Sequence, residues 1–211
     1  MIDPGALAVF VAASLALAVV PGPAVLYIVG QSLQGGRSAG LVSAAGVATG
    51  GLVHVLAAVV GLSALLAASA EAFTAVKLAG AAYLIWLGIS TLLRRGDDRV
   101  GGHRLQGTRS RTFRRGVVVN VLNPKTALFF LAFLPQFVDP DGPVRLQLAL
   151  LGGIFVLIAA ASDSAWALVT GTAGGILRRS ATFAKIQRWV SGSIFLGLGV
   201  VTALAGPHRS D

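Results

Sequence analysis

The stretch 6–29, ALAVFVAASLALAVVPGPAVLYIV, decides the fold of this chain. It is almost entirely apolar, and about 20 apolar residues of helix cross a bilayer core about 30 Å thick. Pro21-Gly22-Pro23 interrupts it, and each proline removes a backbone donor from the helix. The stretch therefore predicts a membrane-spanning helix that breaks or kinks inside the bilayer. The residues before this stretch include Asp3 and no basic residue. We therefore expect the stretch to be retained rather than cleaved as a signal peptide.

Five further stretches have the length and apolarity of membrane spans. Hydrophobic residues make up 55% of the chain and charged residues 12%, about half the charged share of soluble domains. We predict an all-α integral membrane protein whose residues 1–211 form a single transmembrane domain. Its six predicted spans are Ala6–Val29, Leu41–Ala68, Phe73–Leu93, Gly116–Val138, Leu146–Thr170 and Trp189–Leu204.

The net charge of +9 is distributed unevenly along the chain. Basic residues concentrate in the connections after the first, third and fifth predicted spans, at Arg37 and within 94–115 and 178–188. Since cytoplasmic connections carry an excess of Lys and Arg, both termini are predicted to lie outside a bacterial plasma (inner) membrane that the chain crosses several times. Apart from Phe113, segment 94–115 lacks the aromatic interleaving of a nucleic-acid module, so we expect lipid headgroups and no nucleic acid as its contacts.

Polar interruptions of the spans mark the candidate site, since charge and irregular backbone at membrane depth need a protein or water environment. Asn123-Pro124-Lys125 interrupts the fourth predicted span, where Pro124 frees the backbone carbonyl of Asn120. Asp163 is the only acidic residue inside a predicted span. At about 1.5 Å per residue, these positions and the first proline break lie at a similar depth. The candidate substrate-binding residues are therefore Pro21, Gly22, Pro23, Asn120, Asn123, Pro124, Lys125 and Asp163.

The roles of the charged residues stay open from the sequence. Lys125 either faces a substrate carboxylate or is a structural lysine paired with backbone carbonyls or with Asp163. Asp163 in turn has three options, which are that ion pair, a coupling proton and a substrate ammonium group. His54 is either a helix–helix hydrogen bond or a proton relay. Gly46-x-x-x-Gly50 allows close helix packing, which we expect inside this bundle; the sequence leaves a homodimer open.

An internal repeat is suggested by the span count. Each half of the chain has three predicted spans. Because three is an odd number, the two halves must have opposite orientations in the membrane, which predicts a 3+3 inverted repeat. Pro23 precedes Gly50-Gly51 at nearly the spacing with which Pro124 precedes Gly152-Gly153.

In order and spacing, these residues resemble the lysine exporter (LysE/RhtB) family of bacterial amino-acid efflux proteins. The resemblance implies six helices, export of amino acids or similar small metabolites from the cytoplasm, and drive by the proton gradient. One departure is Ala24, since members often carry Asn after the Pro-Gly-Pro. The motifs that carry the resemblance are Pro21-Gly22-Pro23, Gly46 with Gly50, Lys77–Leu84 with Gly88, Asn123-Pro124-Lys125, Phe129-Phe130, Pro135-Gln136-Phe137, and Asp163 with Trp166.

The leading hypothesis is a secondary exporter that works by alternating access. Lys125 would lie near a substrate carboxylate, and Asp163 would take the ammonium group or a coupling proton. The alternatives are a metal-ion exporter of a related superfamily branch, a passive channel and a membrane-embedded enzyme. A metal exporter is disfavoured because the predicted spans contain one aspartate and the chain has no cysteine. An enzyme is disfavoured because the chain lacks a G-x-S-x-G nucleophile motif. We expect no cofactor and no bound metal.

Overall fold

The structure is a computed structural model that describes residues 3–62, 70–93 and 108–177, with scattered residues from 189 to 204. Within these ranges all regular structure is helical, which confirms the predicted all-α class. A π-helical turn, Ala58–Leu62, extends the second helix, and the turns Phe129–Phe133 (π) and Leu134–Phe137 (3₁₀) extend the fifth. The helices are α1 (Pro4–Val19), α2 (Pro23–Ala57), α3 (Ala70–Leu93), α4 (Arg109–Val121), α5 (Pro124–Leu128) and α6 (Val144–Leu177).

The described helices account for part of the predicted set of spans. By length and composition alone, Pro23–Leu62 and Val144–Thr172 are long and apolar enough to cross a membrane, and the bent pair Arg109–Val121 and Pro124–Phe137 adds a third if it counts as one span. The first of these is itself divided at Gly36, where the backbone is not helical. The connections 94–107 and 178–188, most of the sixth predicted span and the side chain of Lys77 lie outside the described residues. The count of six therefore stays a prediction.

One predicted connection is partly helical. Segment 94–115 was expected to be a loop, but α4 begins at Arg109, because Thr108 caps it by accepting a hydrogen bond from the Arg111 backbone N–H at 3.4 Å. Side-chain caps of this kind satisfy a backbone donor that the helix itself leaves unpaired. The last basic residues of that segment are therefore the first turns of α4.

The predicted break in the first span is present. Asp3 caps α1 by accepting the Ala6 N–H at 2.8 Å, and α1 ends at Val19. Val20 (φ −67°, ψ 120°) and Gly22 (φ −121°, ψ −167°) are extended. Pro23 then occupies the first position of α2, where a missing backbone donor costs no helix hydrogen bond.

Helix α2 folds back on itself at Gly36. This glycine has φ +70°, a left-handed conformation that side chains disfavour. A Cβ on Gly40 would lie 3.1 Å from the Cβ of Ser32, and Ile28 packs in one cluster with Ala44. A continuous helix cannot bring such residues together, so α2 consists of an N-terminal arm and a C-terminal arm that lie side by side.

Glycines let α4 cross the C-terminal arm of α2 closely. A Cβ on Gly46 would clash with the Phe113 carbonyl, and one on Gly116 would lie 2.7 Å from the Ser43 carbonyl oxygen. At Gly50 the nearest atom is the Val117 carbonyl oxygen, also at 2.7 Å. The Gly46-x-x-x-Gly50 motif therefore packs this bundle, as the sequence indicated.

Gly46→Ala is expected to lower the thermal unfolding midpoint, because its new methyl group meets backbone that cannot move aside as a side chain would. Overpacking of this kind costs about 1–3 kcal/mol. Gly153→Ala on α6 is the matched control, since nothing lies within 4 Å of its Cβ, and it should leave the midpoint unchanged or raise it. Equal midpoints for the two variants in detergent would contradict the close crossing.

Polar residues lie inside the bundle while large apolar side chains cover its outside. Leu122, Leu157 and Val60 are 74%, 72% and 72% exposed, whereas Lys125 and Asp163 are 7% and 5% exposed. Soluble proteins rarely expose apolar surface this widely. This distribution is the one expected of a protein surrounded by lipid. The apolar core beside the polar interior is largely aromatic, with rings from Phe10, Phe129, Phe130, Phe133, Phe137 and Phe155 in mutual contact.

Candidate functional site

The end of α1 presents backbone carbonyls that its own helix cannot pair. Pro21 has no N–H, so the carbonyl four residues earlier, on Leu17, lacks its helical donor. The Nζ of Lys125 donates to the carbonyl oxygens of Leu17 and Val20, both at 2.6 Å. The carbonyl of Ala18, between them, accepts a hydrogen bond from the Ser162 hydroxyl at 3.1 Å. Two side chains from distant helices therefore bind the broken end of α1.

The position of Lys125 within the fourth predicted span suggested a residue in the middle of a helix. In the structure Lys125 lies at the start of a helix instead. It is the second residue of α5, whose start is capped by Asn123; the Asn123 Oδ1 accepts the Lys125 backbone N–H at 3.1 Å. The Lys125 stem passes over Gly22, where an added Cβ would lie 3.1 Å from Cδ. A buried lysine costs about 2.5–3.5 kcal/mol on insertion scales. Two hydrogen bonds from its ammonium, at about 1.5–3 kcal/mol each, offset that cost.

The second break is bound in a similar way. Pro124 frees the Asn120 carbonyl, which accepts hydrogen bonds from the His54 Nε2 at 2.9 Å and from the Asn123 backbone N–H at 3.0 Å. The Asn120 side chain donates to the Val47 carbonyl at 2.8 Å and accepts from the Thr126 hydroxyl at 2.9 Å. Of the two interpretations of His54, this geometry provides the helix–helix hydrogen bond. Asn120 acts as a cross-link between α4, α5 and the C-terminal arm of α2.

His54→Phe is expected to lower the unfolding midpoint modestly. Phenylalanine keeps the stacking of the His54 ring on Phe130, whose centroid lies 5.8 Å away, but it removes the donor to the Asn120 carbonyl. Losing one net hydrogen bond costs about 1 kcal/mol, and the Asn123 N–H remains as a donor. Leu56→Met, at a side chain that is 66% exposed on the same helix, is the control. An unchanged midpoint for His54→Phe would show that this bond contributes nothing to stability.

Asp163 brings a negative charge to the same place from α6. The residue is 5% exposed, and its carboxyl group interacts electrostatically with the Lys125 side chain. The preceding residue, Ser162, holds the Ala18 carbonyl. Ser162 and Asp163 on α6 therefore face the broken end of α1.

A cavity of about 40 Å³ lies between these elements. Five candidate residues line it, whereas Pro21, Pro23 and Pro124, which set the two breaks, are not among its described lining residues. Thr126 and the apolar lining were not predicted from the sequence; Thr126 had a signal, a hydroxyl beside the Asn123-Pro124-Lys125 interruption, but the apolar residues had none. The described lining residues are Ala18, Gly22, Ala24, Val25, Val47, Ala48, Gly51, Asn120, Asn123, Lys125, Thr126, Phe155, Val156, Ala159 and Asp163.

The cavity is charged on both sides. The C-terminal end of α1 carries partial negative charge, and the N-terminal end of α2 carries partial positive charge. Gly22 caps α2 without a side-chain hydrogen bond, so the first N–H groups of α2 have no side-chain cap. Together with Lys125 and Asp163, these groups can bind a small molecule that carries both a positive and a negative charge.

Broken helices that meet at a buried polar cavity are the architecture of membrane transport proteins. The sequence matches the profile of the LysE type translocator family over residues 15–206. The chain therefore belongs to the LysE translocator family, and it is a transporter rather than an enzyme.

Individual relatives cover most of the chain. The homoserine/homoserine lactone efflux protein of Salmonella typhimurium is 31% identical over 91% of this chain and 93% of its own length. The uncharacterized membrane protein YrhP of Bacillus subtilis is 29% identical over 90% of this chain and 94% of its own length. The leucine efflux protein of Enterobacter sp. is 31% identical over 62% of each chain. No solved structure matches the sequence significantly.

Proposed function

We propose that this chain exports amino acids or related small metabolites from the cytoplasm as a secondary transporter that works by alternating access and is driven by the proton gradient. One observation carries the proposal. Two oppositely charged side chains, Lys125 and Asp163, are buried together in a cavity where two helices break. A buried charge is costly in a membrane protein and usually functional, and this pair matches the two charges of an amino acid.

The substrate class follows from the chemistry of the lining and from relatives whose names state homoserine and leucine efflux. In the proposal the substrate carboxylate binds Lys125 and the N-terminal end of α2. Asp163 takes the substrate ammonium group or the coupling proton. Val25, Phe155 and Val156 provide an apolar wall for the substrate side chain.

The described state has to open before it admits such a substrate. A single water needs about 10–15 Å³, so a cavity of about 40 Å³ has room for a few waters and not for an amino acid. The proline breaks are the natural hinge points, since the backbone is extended at Gly22 and Asn123. Movement there would enlarge the cavity towards one side of the membrane at a time, which is alternating access.

The proposal includes six spans in a 3+3 inverted repeat. The two breaks support the repeat, since each has an extended cap residue followed by proline at the first helical position, at Gly22-Pro23 and at Asn123-Pro124. The freed carbonyl at each break is bound by a basic side chain from the other half of the chain, Lys125 at the first and His54 at the second.

The proposed location is the inner membrane of a bacterium, with both termini outside. The charge pattern supports this orientation, because the basic residues concentrate in connections that would then be cytoplasmic. A single carboxylate among the described lining residues gives a metal-ion exporter little support, since hard cations want several oxygen ligands.

Reconstitution in proteoliposomes tests the function. With an acidic lumen, the purified protein should accumulate one or more of a panel of amino acids (homoserine and leucine first) above the external concentration, with a saturating rate. An uncoupler should abolish the accumulation. Flux that does not saturate and stops at equal concentrations would identify a passive channel, and no flux of any panel member would overturn the substrate class.

A further inference from the structure

The broken end of α1 has the features of a cation site that is already filled. We propose that this end is a binding site for a primary ammonium group, which Lys125 fills with its own side chain in the described state and which receives the substrate ammonium during transport. The second half of the statement rests on the proposed function. The site itself can be tested without any transport assay.

The geometry at Leu17 and Val20 is that of ammonium recognition. Two carbonyl oxygens accept hydrogen bonds from the Lys125 Nζ at 2.6 Å each, and an ammonium donor makes stronger hydrogen bonds than a neutral one. The carbonyls belong to a helix end whose dipole favours positive charge. Asp163 adds a carboxyl group to the same cavity.

The surroundings let the Lys125 ammonium leave while the site stays in place. The carbonyl between the two ligands, on Ala18, is held separately by Ser162 at 3.1 Å, so the helix end does not depend on Lys125 alone. The lysine stem has four flexible carbons. At Gly22 it packs against backbone without a side chain.

An exchange of one ammonium for another solves an energetic problem of transport. If Lys125 moved to a substrate carboxylate with nothing in its place, the carbonyls of Leu17 and Val20 would lose donors inside the bilayer, which is costly. A substrate ammonium entering the same site restores both hydrogen bonds. The amino acid then binds through the two partners that had been bound to each other, the helix end and Lys125.

The test truncates the Lys125 side chain and adds the removed part back as a free small molecule. Lys125→Ala deletes three methylene groups and the ammonium, which together correspond to propylammonium. In detergent, propylammonium at about ten times its Kd should raise the unfolding midpoint of Lys125→Ala by about 3–6 °C. Wild-type protein, whose site is filled, should show no such rise. Tetramethylammonium, a cation without N–H donors, is the control for nonspecific salt effects.

Each result decides the matter. A midpoint rise confined to Lys125→Ala and to propylammonium supports the site. A folded Lys125→Ala that does not respond to about 100 mM propylammonium, or that responds equally to tetramethylammonium, overturns it. If Lys125→Ala does not fold by itself, expression and purification with propylammonium should recover folded protein, and failure to do so also overturns the site.

The outcomes also separate this inference from the proposed function. Propylammonium binding to Lys125→Ala would establish the cation site even if no amino acid were transported by the wild type. Conversely, amino-acid transport by the wild type without propylammonium binding to the variant would leave the exporter intact and remove the exchange.

Discussion

Lys125→Met is expected to reduce the export of an amino acid such as homoserine by about 10- to 100-fold, because it removes hydrogen bonds from a charged donor worth about 1.5–3 kcal/mol. Methionine retains the unbranched stem that packs over Gly22. Initial rates of efflux from loaded proteoliposomes, normalised to folded protein, give the measurement.

A second substrate makes the Lys125 prediction specific. Homoserine lactone has an ammonium group but no carboxylate, so Lys125→Met should reduce its export less than that of homoserine. Leu131→Met, at a side chain that is 41% exposed on the π-helical turn, should leave both rates unchanged. An equal loss for the two substrates would mean that Lys125 acts on folding or gating and does not recognise the carboxylate.

Asp163→Asn is expected to reduce export of both substrates by about 10- to 100-fold, since both carry the ammonium group that its carboxylate is proposed to bind. Asparagine is nearly isosteric, so the cavity keeps its shape while it loses its negative charge. The variant also leaves the buried Lys125 without the electrostatic interaction that Asp163 provides. Two transport assays are needed for this variant. Efflux driven by a proton gradient requires net proton movement, whereas exchange at equilibrium does not.

The comparison separates the two roles open to Asp163. Loss of driven efflux with retained exchange would assign it to the coupling proton, and loss of both would assign it to the ammonium group. Asp141→Asn, the same substitution at an exposed turn, is the matched control and should behave as the wild type. Wild-type rates in Asp163→Asn would remove this residue from the site.

The breaks in the helices could be predicted because they depend on local chemistry. Proline lacks a donor wherever it stands, so Pro21 and Pro124 by themselves indicate interrupted helices and freed carbonyls. The similar depth of these breaks and of Asp163 also follows from counting residues along helices of known rise. The cavity confirms that Gly22, Asn123, Lys125 and Asp163 lie together.

The partners of the freed groups could not be predicted, because they come from distant parts of the chain. The sequence left Lys125 with three options, and its ammonium lies on the carbonyls of Leu17 and Val20. His54 binds the Asn120 carbonyl for the same kind of reason. The reversal of α2 was not evident from the sequence either. Gly35 and Gly36 are adjacent, and composition does not indicate which of them adopts the positive φ found at Gly36.

The apolar wall of the cavity had no signal in the sequence. Phe155 and Val156 line the cavity, but residues of their types occur throughout the spans, so nothing distinguishes them from lipid-facing neighbours. Leu157, the next residue on α6, is 72% exposed. Only the rotation of the helix in the bundle separates the two faces.

Substrate protection of a cysteine placed in the cavity tests whether this cavity is the transport site. The chain has no native cysteine, so Ala159→Cys, one helical turn before Asp163 on the cavity lining, gives a single reactive thiol. A transported amino acid should slow its reaction with a methanethiosulfonate reagent by about tenfold at saturation, while Asp141→Cys on the exposed turn reacts at the same rate with or without substrate; tenfold corresponds to about 1.4 kcal/mol. Labelling of Ala159→Cys that is unaffected by any transported substrate would contradict the assignment of this cavity as the transport site.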